Sequence, residues 1–196
     1  MVNLEIKELK NELLKCLNNS KSLLSDADYL FKDNRFARAY SIYRLSIEEN
    51  QISNMLIYLI IEKSINKDFS IEDESFFKNI FTDHLLKIKF SLIEDCVFFD
   101  FFEKYSIKQH KIKKQILSQI SNPRQLDIFK QYGLYAHLIN NKIRLPSNFI
   151  SKNKCYKIQQ ESKLSLSKSR TFVEMFLTSP EVFIRKITNM DFSIYR

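Results

Sequence analysis

A single glycine, Gly133, stands in a chain of 196 residues, and that scarcity limits the possible folds more than any other feature. Glycine enters left-handed backbone conformations without strain, and tight hairpins, phosphate-cradling loops and nucleophile elbows all draw on it. A Walker loop, a GxGxxG fingerprint and a GxSxG elbow each need at least two glycines, so none exists here. Folds made of many short hairpins are disfavoured for the same reason. At 44% apolar and 28% charged residues the chain has material for a core and is too apolar for disorder. The expectation is an all-α protein forming a single helical domain over residues 1–196.

Apolar spacing places the helices. Leu13, Leu17, Ser20, Leu24, Ala27 and Phe31 recur at three- and four-residue steps, which predicts a helix over about 3–32 that Asp33-Asn34 ends. A second, over about 35–64, carries Phe36, Tyr40, Tyr43 and Ile47 on one stripe and Ile42, Leu45, Ile52 and Leu56 on the next. That width implies more than one packed neighbour. Further helices are expected over about 73–102, opened by Asp73-Glu74, and about 103–120, with Asn122-Pro123 restarting a shorter one. The stretch from Tyr132 to Pro146 holds Gly133 and Asn140-Asn141 and reads as an extended or turned insert, with room for a small hairpin. Ser147 is expected to cap a last long helix over about 148–178, stopped by Ser179-Pro180. The economical architecture is an antiparallel bundle of four to five helices with an irregular or hairpin insert near 132–147.

The net charge of +8 is unevenly placed. Residues 1–100 carry 13 basic and 17 acidic side chains, and residues 101–196 carry 18 and 6, so the second half alone is +12. Such asymmetry suits a polyanion, because cations that neutralise phosphates release condensed counterions; a lysine-rich solvated surface is the alternative. Lys111, Lys113 and Lys114, beside His110, carry the same two readings, phosphate contact or solvated helical face. Cys16, Cys96 and Cys155 are odd in number and form no CxxC, which disfavours zinc ribbons and disulfides and suggests buried thiols. No HExxH occurs and the three histidines are far apart, so neither metal nor cofactor is expected. The N-terminus lacks a hydrophobic targeting core, and no apolar run approaches the ~20 residues a bilayer span needs, so the expectation is a soluble, cytoplasmic chain without membrane contact.

Two polar residues interrupt the apolar stripes. Glu49 follows Leu45 by four and precedes Ile52 by three, which aims it inward, whereas Glu48 follows Ser41 and Arg44 on a more polar row. His84 follows Ile80 and Phe81 and precedes Ile88, with Asp83 and Lys87 flanking it at ion-pair spacing. A buried carboxylate needs a partner, and His84 is one candidate. Such an acid–imidazole pair has two readings, proton transfer at an RNA 2′-hydroxyl or an ordinary hydrogen-bonded core pair. Tyr132, Tyr135 and His137 likewise either stack on bases or pack the turn at Gly133.

The order of these pieces carries a resemblance. The run Ala27-Asp28-Tyr29-Leu30-Phe31-Lys32-Asp33-Asn34-Arg35-Phe36-Ala37-Arg38-Ala39, then Ser46-Ile47-Glu48-Glu49, then Phe81-Thr82-Asp83-His84-Leu85-Leu86-Lys87, then Gly133-Leu134-Tyr135, resembles the AbiV family of bacterial abortive-infection proteins over most of residues 20–150. The resemblance implies an all-helical, HEPN-like fold, a homodimer, and a role in phage resistance exerted on RNA or translation when a phage-encoded protein triggers it. It places any chemistry at Glu48, Glu49, Asp83, His84 and Lys87. Three departures stand beside it. Asn50-Gln51-Ile52 replaces the Leu-Gly-Lys that commonly follows the paired glutamates, Ala136-His137 follows Leu134-Tyr135 where an acidic residue is usual, and no arginine precedes a histidine at the spacing of catalytic HEPN nucleases. A metal-independent endoribonuclease and a non-catalytic protein that blocks phage translation by occupying RNA or protein are therefore the two functional readings.

Overall fold

A computed structural model describes residues 6–65, 82–83, 85, 87–88 and 124–188. Helix α1 spans Ile6–Lys32 and α2 spans Phe36–Ile65. The turn between them is a Schellman closure: Asn34 takes a left-handed conformation (φ 59°), Asn34 N donates to Phe31 O at 3.1 Å and Arg35 N donates to Leu30 O at 2.9 Å. Asparagine tolerates that conformation, so Asp33-Asn34 reverses the chain without glycine. Helix α3, Arg124–Leu134, is followed by an antiparallel hairpin of β1 (His137–Ile139) and β2 (Lys142–Arg144), in register Leu138 with Ile143. Asn140 and Asn141 both have positive φ, 51° and 59°, as a two-residue type I′ turn requires. A 3₁₀ turn at Pro146–Asn148 leads into α4, Lys152–Thr178, and α5, Pro180–Thr188.

Helix α1 runs antiparallel to α2, α4 runs alongside α2 in the same sense, and α3 lies on a further face of α2. Two apolar clusters form the ends of this assembly. One gathers Leu9, Leu13, Leu56, Ile57, Ile60, Phe172, Phe176 and Phe183, and the other Ala27, Ala39, Tyr40, Tyr43, Ile47, Ile150, Cys155 and Ile158. Between them lies a belt of small polar groups. Ser20 Oγ donates to Ser46 O and Ser46 Oγ to Ser20 O, both at 2.8 Å. Asn50 Nδ2 reaches Ser165 Oγ at 2.9 Å and Ser169 Oγ at 2.7 Å, and Asn54 Nδ2 reaches Ser169 Oγ at 2.6 Å.

The all-helical expectation holds, and the hairpin falls inside the expected insert. Three local expectations are corrected. Gly133 is helical, because its missing Cβ lets α3 close on α2: a Cβ there would meet Ser41 Oγ and sit 2.5 Å from the Ala37 carbonyl oxygen. The cap of the last long helix is Ser151, whose Oγ accepts from Lys154 N at 3.2 Å, while Ser147 belongs to the 3₁₀ turn before it. Ser179-Pro180 ends that helix and at once starts another, since proline suits the first helical position. The helices expected over 73–102 and 103–120 lie almost entirely outside the described residues, as does Cys96.

Candidate functional site

The order of burial of the paired glutamates on α2 is the reverse of the one the spacing implies. Ser41, Arg44 and Glu48 do share one row, but the row is buried: Glu48 is 3% exposed and Arg44 8%. The cause is α3, which the spacing of α2 alone does not reveal. Ser41 Oγ donates to Lys130 O at 2.6 Å, and Gly133 allows the helices to touch at that point. Lys130, 6% exposed, is thereby aimed at Glu48, with Nζ 2.8 Å from Oε1 and 3.1 Å from Oε2. Asp127 Oδ1 accepts from the same ammonium at 2.9 Å. Glu48 is thus one member of a largely buried ion cluster.

Glu49 is the half-buried one. Asn19 Nδ2 of α1, an exposed side chain, donates to Glu49 Oε2 at 3.0 Å. Cys16, one turn earlier on α1, has its thiol pushed up to about 11, first by burial and then by the charges of Glu49 and Glu12, against the opposing charges of Lys87 and Lys15. Glu49 and Lys87, 38 positions apart in the sequence, therefore act on the same α1 thiol. Lys87 is itself buried at 7% exposure. Asp83 is exposed and caps its own turn: its Oδ1 accepts from Leu85 N at 2.7 Å, and its carbonyl accepts from Lys87 N at 3.0 Å. His84, and with it the Glu49–His84 pair, lies outside the described residues, as do His110, Lys111, Lys113 and Lys114.

The structure adds residues that the sequence reading passed over. Lys130 and Asp127 are absent from that reading, although a signal existed: Lys130 follows Leu126 by four and precedes Gly133 by three, inside an otherwise apolar row. On the α4 side, Tyr43 Oη donates to Asp28 Oδ1, and Gln159 Nε2 donates to the same oxygen at 2.6 Å and to Tyr43 Oη at 2.8 Å. Burial would raise the Asp28 carboxyl, but these donors and the Lys163 ammonium at 3.4 Å hold it below the usual carboxylate value. Burial, reinforced by that carboxylate, pushes the Tyr43 phenol up, so Tyr43 stays a donor. The Cys155 thiol, pushed up to about 12 by burial, is chemically quiet. At the hairpin, Tyr132 stacks on Phe149 with centroids 4.3 Å apart and meets His137 edge-on at 4.5 Å, so those two rings pack the turn, whereas Tyr135 stays 62% exposed.

Among the described residues no three His, Cys, Asp or Glu side chains gather as metal ligands, and no helix is long and apolar enough to cross a membrane. The described fold is that of a helical protein with one small two-stranded sheet. The HEPN-like family model described as AbiV matches residues 8–166, and the chain belongs to the AbiV family. Comparisons with curated proteins and with solved structures returned no match.

Proposed function

We propose that the protein is an abortive-infection effector that acts on RNA, and so on translation, when a phage-encoded protein triggers it. The observation that carries this reading is the division of labour between adjacent acids. Glu48 is bound to Lys130, while Glu49 stays half-buried and, among the described residues, accepts from an exposed Asn19. A carboxylate held by a neutral donor is suited to accept a proton from a substrate hydroxyl, and Lys87, whose charge is felt at the same Cys16 thiol as that of Glu49, is suited to a phosphate. The +12 second half supplies the attraction along a nucleic-acid backbone. Assembly as a homodimer belongs to the same proposal.

Incubating the full chain with total cellular RNA, with and without infected-cell extract, and mapping new 5′ ends tests it. Glu49→Gln is expected to remove those ends while leaving the thermal midpoint nearly unchanged. Glu48→Gln is expected to lower the midpoint, because the buried Lys130 ammonium loses one of its two carboxylates. The occupancy reading is favoured by one observation, the withdrawal of Glu48 into the ion cluster, which leaves a single carboxylate of the pair accessible. It predicts no new ends, RNA association that falls steeply with salt, and weakening on charge reversal at Lys111, Lys113 and Lys114.

A further inference from the structure

A cavity of about 440 Å³ opens where the α1–α2 turn faces the end of α3 and the segment after the hairpin. Its volume lies within the roughly 300–1,000 Å³ of small-molecule sites. Its lining includes the apolar side chains Phe36, Leu134, Leu145 and Pro146. Arg35 and Arg38 line it as well. These arginines sit three apart at the start of α2, a spacing at which like charges repel. A third cation contacts the lining: Lys152 Nζ stands over the Phe36 ring, 5.8 Å from its centroid. Among the described residues the acid paired with these cations is Asp33, whose Oδ2 lies a loose 3.8 Å from Arg35 Nη1, with both side chains well exposed. Arg38 has no acidic residue within one helical turn on either side.

From a cavity lined by apolar side chains together with two guanidinium groups, we infer that it binds a small organophosphate of nucleoside-monophosphate size. The phosphate takes the forked donors of Arg35 and Arg38, a geometry that guanidinium offers bidentately and ammonium does not. The planar body lies against Phe36 and Leu145. The anion relieves the repulsion between the two arginines, which is the physical reason for a phosphate there. This cavity is separate from the surroundings of Glu49: it opens at the α1–α2 turn, more than three helical turns before Glu49 on α2, so the inference stands or falls apart from the RNA reading.

The test is calorimetric titration of the full chain with adenosine 5′-monophosphate, adenosine and inorganic phosphate in turn. Adenosine 5′-monophosphate is expected to bind at least tenfold more tightly than either fragment. The double variant Arg35→Gln, Arg38→Gln is expected to lose at least tenfold in affinity. Leu145→Glu, at a position 57% exposed, keeps both arginines but places an anion in the apolar lining, and is expected to weaken binding comparably with an unchanged thermal midpoint. Phosphate alone binding as tightly as the nucleotide, adenosine alone doing so, or full affinity in the double variant would each overturn the inference.

Discussion

Helix α2 is held on two of its faces by different chemistry. Toward α3 the contact is charged and largely buried, with Lys130 between Glu48 and Asp127 and with Arg44 buried in the same row. Toward α1 and α4 it is mostly neutral, a belt of serine hydroxyls and asparagine amides in which single groups serve two partners, as Ser169 Oγ does for Asn50 and Asn54, with the Asp28 carboxylate at one end. The difference lies in what a deletion leaves behind. A hydroxyl lost from the belt leaves neutral neighbours that adjust, whereas an ammonium lost from the α3 face strands a carboxylate in a low-dielectric contact. Four buried side-chain atoms, Arg44 Nε, Asn50 Oδ1, Gln51 Oε1 and Asn54 Oδ1, have no hydrogen-bond partner among the described residues, and all four belong to the middle of α2, where the two kinds of contact meet.

The largest effect is expected on the charged face. Lys130→Met removes the ammonium from Glu48 and Asp127, and a buried carboxylate deprived of its cation costs about 3–5 kcal/mol. Pairing it with Glu48→Leu takes away the stranded charge, so the double variant recovers most of that loss. Chemical denaturation of the two single variants and the double variant measures the coupling. Additive losses would mean that the ion pair does not hold the α2–α3 contact. Gly133→Ala tests the same contact through its packing. The added methyl runs into Ser41 Oγ and the Ala37 carbonyl, which is backbone and yields little, so a loss of about 1–3 kcal/mol is expected. Ser41→Ala in the same background removes one colliding atom and restores part of it, which a purely helix-favouring effect of alanine would not require.

This contact also marks where the sequence stopped being readable. The helical class, the Asp33-Asn34 turn, the Asn140-Asn141 hairpin and the shared row of Ser41, Arg44 and Glu48 were all legible, because each is set by spacing or by residues within a few positions. The burial of that row was not, since it depends on Lys130, 82 positions away from Glu48. Gly133 was read as a turn residue because glycine usually signals conformational freedom, while here it provides clearance between two helices. For a related reason the inward aim read for Glu49 from Leu45 and Ile52 is met only in part, since Glu49 is half-buried. A helix packed on several faces turns most of its circumference inward, so an apolar stripe no longer singles out the buried direction. The convergence of Lys87 on the neighbourhood of Glu49 and Cys16 is likewise a long-range event that no local pattern encodes.

The smallest effect is expected on the α4 side, where Asp28 joins Tyr43, Gln159 and Lys163. Its folded carboxyl is held below its ordinary value, so it binds protons less readily than in the unfolded chain. The stability it contributes is present above the unfolded value of about 3.9 and is lost as the pH falls through the lower folded value. Asp28→Asn keeps an oxygen that accepts from Tyr43 and Gln159 and loses only the charge facing a half-exposed Lys163. The variant is therefore expected to fall within about 1 kcal/mol of the parent at neutral pH. Below pH 4 the two stability curves should converge, because the parent alone gives up a contribution there. Thermal midpoints followed from pH 7 to pH 3 decide the point. Curves that stay parallel throughout would mean that the carboxylate charge does nothing on this face, which would make the α4 contact neutral along its whole length and widen the contrast with α3.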